Sequence, residues 1–168
     1  MGPTAPQSTA PTALTAEQLL LRVLDLIKAT RSSHELTIER VSAAMQHPAQ
    51  TFSPGYFGYG GKLTPEWSYW LEVKESGSTG TRLDLDFIDT TPGQSAAATD
   101  ICQLDFLRFS SELKAAGFVH ETYPGEHGRV AYEQFNRNGL AIIVDNIGEA
   151  SVPADKAKHT CVRHVTVQ

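Results

Sequence analysis

The run HETYPGEHGR, residues 120–129, holds the densest group of chemistry-bearing side chains in the chain, with His120, Glu121, Glu126, His127 and Arg129 gathered around a Pro-Gly turn. An imidazole beside a carboxylate can exchange a proton with a bound substrate, so His120, Glu121 and His127 define one reading, a small hydrolase working by acid–base catalysis. The bland reading makes the run a surface hairpin turn, its residue types being those that turns favour. A zinc-protease helix would need a second histidine four residues after His120, and Pro124 stands there. Asp84, Asp86 and Asp89 of LDLDFID lack the glycine bend and closing glutamate of a calcium loop, and read as the solvated side of a strand. Gly61-Lys62 is followed by Leu63, and Tyr56 occupies the place of the first glycine, so no phosphate loop forms. There is no Gly-x-Ser-x-Gly elbow, and a lone thiol such as Cys102 needs a lowered pKa before it can attack. No catalytic residue, metal ligand or cofactor is assigned from the sequence.

A second stretch points to binding. In TFSPGYFGYGGKL, residues 51–63, large rings alternate with glycines. Rings give contact area at little entropic cost and glycine lets a backbone come close, so Tyr56, Phe57 and Tyr59 are candidate contact anchors. The alternative turns the same rings inward to seal one end of a sheet. Trp70 lies on the opposite side of its strand from Trp67, and an outward tryptophan marks an interface. Glu121 and Glu126, with nearby aspartates, would complement a basic cleft on the partner.

The elements that position these groups follow from periodicity. Thr15 and Gln18 form a capping box ahead of Leu19, Leu20, Val23, Leu24 and Ile27, and Thr37 opens a second helix that stops before Pro48. A third helix is predicted from near Asp100, with Phe106, Phe109 and Leu113 on one side. WSYWLEVK and TRLDLDFID alternate with period two and read as a hairpin; FVHETY, RVAYEQF, LAIIVDNI and TCVRHVTV add further strands, two of them joined by the tight-turn pair Asn138-Gly139. The expected class is α+β: a curved antiparallel sheet of about five to six strands with two to three helices on one face.

At 168 residues the chain suits one domain, expected over 14–168, behind a Pro/Thr/Ala-rich tether at 1–13 of the kind that follows a removed signal or a lipid-attachment point. A net charge of −5 argues against a nucleic-acid partner. No apolar run is long enough to span a bilayer, so contact with a membrane would come only through an N-terminal lipid anchor. Two cysteines, Cys102 and Cys161, either pair or sit apart as buried thiols; pairing would imply an oxidising compartment. With no Asn-x-Ser/Thr acceptor present, the periplasm is preferred over a eukaryotic secretory route, the alternative being the cytoplasm. His159 and His164, flanking Cys161, read as surface residues.

The helix LTIERVSAAM leading into the W-x-Y strand and then LDLDFID resembles the beta-lactamase-inhibitor-protein-like fold, a repeated helix-plus-hairpin unit, over residues 37–167 in outline. With the tether and the cysteines, the chain is similar to periplasmic immunity and inhibitor proteins of lipoprotein type. That resemblance implies a non-enzymatic protein that binds a secreted antibacterial toxin and occludes its active site. The competing expectations are the small hydrolase above and a structural envelope lipoprotein.

Overall fold

The structure, a computed structural model, describes residues 14–128, 130–148 and 160–168. The tether at 1–13, Arg129 and His159 lie outside the described residues. Helix α1 (Ala16–Lys28) begins with the expected capping box, in which Thr15 and Gln18 satisfy each other's backbone amides, and it buries Leu19, Leu20, Val23, Leu24 and Ile27. Helix α2 (Ile38–Met45) is capped by Thr37 and closes on Gln46 in the left-handed conformation. Helix α3 runs Phe106–Ala115, not from near Asp100. Residues Ala98–Ile101 form a 3-10 turn instead, and the Asp105 side chain accepts the Arg108 amide to cap the helix five residues later than the periodicity suggests.

Among the described residues eight strands make one antiparallel sheet: β1 (Gln50–Ser53), β2 (Tyr56–Lys62), β3 (Trp67–Glu75), β4 (Thr81–Asp89), β5 (Val119–Pro124), β6 (Val130–Arg137), β7 (Leu140–Gly148) and β8 (Thr160–Val167). The expectation of five to six strands is too low by the β1–β2 hairpin, the aromatic-glycine stretch itself. The strand order is β1-β2-β3-β4-β8-β7-β6-β5. Each half of the molecule is therefore helix followed by a four-strand meander, rather than helix plus hairpin, and the last strands of the two meanders, β4 and β8, pair to join the halves.

The alternation of β3 and β4 decides which side is core. Trp67, Tyr69, Leu71 and Val73, with Leu83, Leu85 and Phe87 beside them, are buried in one cluster with the helices, Phe135, Ile142, Val144 and Val165. Their neighbours Ser68, Trp70, Glu72, Asp84 and Asp86 are only partly buried, and Lys74, Arg82 and Ile88 are exposed. The helices cover one face, and no described helix covers the other. Behind the sheet a disulfide joins Cys102 to Cys161, with the Cα atoms 4.8 Å apart, and ties the lead-in to α3 onto β8. None of the described helices is long and apolar enough to cross a membrane.

Candidate functional site

The uncovered face of the first half holds a cluster of rings. Strand alternation splits the aromatic-glycine stretch: Tyr56 points outward, whereas Phe57 and Tyr59 point into the core at 3% and 7% exposure. The Tyr59 hydroxyl donates to the His47 carbonyl at 2.5 Å, below α2. Phe57 and Tyr59 thus seal the core and are withdrawn as contact anchors. Phe52, a ring of the same stretch that was not among the expected anchors, takes their place. A bulge between Thr51 and Ser53 breaks the β1–β2 register, and the Phe52 ring lies 4.9 Å from Tyr56 and 5.4 Å from Trp70, nearly parallel to the indole.

Glycines let this cluster lie flat on the sheet. Gly60 is opposite Trp70, and a Cβ there would stand 2.7 Å from Cε3 of the indole, so the ring rests on bare backbone. A Cβ on Gly58 would collide with the Leu71 carbonyl oxygen. Beside the indole a shallow groove of about 530 Å³ runs over Gly60 and Gly61 toward Lys62, Ser68 and Ile88.

One carboxylate fixes the rings. Glu72 Oε2 accepts from the Tyr56 hydroxyl at 2.7 Å and from Trp70 Nε1 at 2.9 Å, while Lys74 Nζ lies 3.4 Å from Oε1 and 4.8 Å above the Tyr56 ring. Partial burial opposes ionisation of Glu72, but the two hydrogen bonds and the lysine outweigh it and hold the carboxyl below its ordinary value. The same hydrogen bond to Glu72 raises the Tyr56 phenol. Rings held this way lose little side-chain freedom when a partner arrives.

Next to the rings lies a lateral row from four strands: Trp70 faces Asp86, Asp86 faces His164, and His164 faces Asp145. His164 Nε2 is 3.0 Å from Asp84 Oδ1, and its Nδ1 is 3.6 Å from Asp86. Asp84 also accepts two hydrogen bonds from Arg82 and one from Thr166. Burial works against the Asp84 charge, but the donors from His164, Arg82 and Thr166 prevail, so its carboxyl lies well below the usual range. The hydrogen bond with Asp84, and the charges of Asp86, Asp84 and Asp145, raise the His164 imidazole despite its partial burial.

Glu121 and Glu126 are not part of this assembly. Glu121 is on β5, the opposite edge of the sheet, where Tyr123 donates to it at 2.9 Å; Glu126 lies in the turn that follows. The acids that accompany Tyr56 and Trp70 are instead Glu72, Asp84, Asp86 and Asp145. The histidine-based trio does not converge either. His120 turns inward, 2.6 Å from Glu133 and stacked 4.5 Å from Phe135, while its neighbour Glu121 projects to the other face and His127 occupies a left-handed turn position. Among the described residues no group of three or more His, Cys, Asp or Glu side chains is arranged to hold a metal ion.

Compared with known proteins, the chain matches no family model, and no curated protein or solved structure resembles it at a significant level.

Proposed function

We propose that this protein is a non-enzymatic binding protein of the immunity or inhibitor type, which neutralises a secreted antibacterial toxin by docking the open face of its sheet over the toxin's active site. The observation that carries the reading is the cluster of Tyr56 and Trp70, tied to Glu72, with Phe52 packed against both rings, on a face that no described helix covers. Preordered aromatic side chains at the centre of a surface are what concentrates binding energy in protein interfaces. The disulfide accords with an oxidising compartment, and the periplasm is the compartment proposed.

The test compares the wild-type chain with a Phe52→Ala, Trp70→Ala variant, each expressed in the periplasm of a cell exposed to a toxin-secreting competitor, and each used to capture that competitor's secreted proteins. Wild type protects the cell and retains a toxin; the variant, matched for thermal stability, loses both. Equal protection by the two chains would remove this surface from the interface.

A further inference from the structure

Three cations of the open face are already engaged, the exposed Lys62 lines the groove on the β2 side of Trp70, and two acids of the face accept no hydrogen bond among the described residues. Lys74 is spent on Glu72 and the Tyr56 ring, Arg82 on Asp84, and His164 Nε2 on Asp84. The remaining His164 nitrogen is 3.6 Å from Asp86, beyond hydrogen-bond reach. Among the described residues, no hydrogen bond reaches the side chain of Asp86, whose side chain is 43% exposed, or that of the exposed Asp145. Both lie in the row that starts at Trp70. The rings therefore adjoin Asp86, whose acceptor oxygens take no hydrogen bond and whose charged neighbour His164 is shared with Asp84, and Asp145 continues the row two strands further on.

From this geometry we infer that the partner presents an arginine side chain to Trp70 and Asp86, with Asp145 adding negative charge further along the same row, an inference that rests on the docking role proposed for this face. A guanidinium satisfies both halves of the site, since its fork donates to carboxylates and its plane packs against aromatic rings. The face already holds a cation over a ring, Lys74 above Tyr56. An acidic partner surface would meet Asp86 and Asp145 with like charge, and a purely apolar one would strip both of water with no compensating donor.

The experiment uses acetylated, amidated tetra-arginine as probe, with tetraglutamate as its opposite, titrated into the isotopically labelled full chain and followed by backbone and indole resonances. The expected result is saturable shifts at the Trp70 indole, at Asp86, His164 and Asp145, and none there from tetraglutamate. Asp86→Asn combined with Asp145→Asn weakens the arginine peptide by about fivefold or more, as for loss of a partly exposed ion pair. Glu121→Gln combined with Glu126→Gln changes the net charge equally at the other edge and leaves the affinity within about twofold. Equal weakening by both double variants, or shifts spread over every surface carboxylate, overturns the inference. Should the Phe52 and Trp70 substitutions abolish toxin binding while Asp86→Asn, Asp145→Asn leaves it intact, the docking face stands and only the arginine is lost.

Discussion

The imidazole of His164 lies 3.0 Å from the carboxylate of Asp84, across the one strand pair that joins the two halves of the sheet. Its contribution to stability has opposite pH limits for its two members. The His164 pKa is raised by folding, so its share is complete below the ordinary histidine value and is lost as pH rises through the elevated one. The Asp84 pKa is lowered, so its share is complete above the ordinary carboxyl value and is lost as pH falls. The pair is therefore strongest between about pH 4 and 6.5. His164→Gln should cost on the order of 1 kcal/mol in that window, with the deficit shrinking toward pH 9. Urea denaturation of both chains across this range decides it; a deficit that stays constant to pH 9 would show that charge has no part.

Breaking the disulfide releases a closure over 59 residues. Cys102→Ser with Cys161→Ser should lower the unfolding free energy by about 4 kcal/mol on the chain-entropy account. Wild type in strong reductant should approach the double variant. A loss below about 1 kcal/mol would mean that the hydrophobic contacts of β8 fix it without help.

The two glycines beneath the aromatic rings predict different outcomes. Gly58→Ala drives a methyl group into the Leu71 carbonyl, which cannot move without parting β2 from β3, and should cost about 1–3 kcal/mol. Gly60→Ala meets only the edge of the Trp70 indole, whose side chain can swing away. It should therefore change indole fluorescence and partner affinity more than it changes the denaturation midpoint. Equal midpoints for the two variants would contradict the crowding at Gly58.

Neither histidine of the 120–127 segment is expected to matter for binding. His120→Ala leaves the buried Glu133 carboxylate with Thr122 as its remaining side-chain donor, and should destabilise by about 1–3 kcal/mol. His127→Ala, in an exposed turn, should stay within about 0.5 kcal/mol. Both should bind the toxin as wild type does. Turnover of any ester or peptide substrate that vanished with His120→Ala, at unchanged stability, would revive the hydrolase reading.

Side-chain alternation made most of the sheet legible. TRLDLDFID and TCVRHVTV, which become the central pair, form strands over the bounds read from the sequence. The pair β1 and β2 escaped because Gly58 and Gly60 supply no side chains to alternate with Phe57 and Tyr59, leaving half of the period-two pattern blank. Phe52 depends on a bulge, and a bulge is a property of two paired strands that neither shows alone. The same holds for the row from Trp70 to Asp145, whose members are far apart along the chain and meet only once the registers of β3, β4, β8 and β7 are set. Reading Asp84 and Asp86 as one wet face was half the matter: Asp84 is bound up in a hydrogen-bonded network, and Asp86 is the open one.

The palindromic strand order has a consequence for synthesis. A strand at the centre of the finished sheet, β8, is the last of its eight strands to be made, so β4 waits with an unpaired edge through the making of α3 and of β5 to β7. Pairing it early would require a stranger's strand, the hazard of any exposed edge. A chain stopped short of Thr160 would lack not a margin of the fold but its middle, and the four strands of the first half and the three left in the second would have no pairing between them.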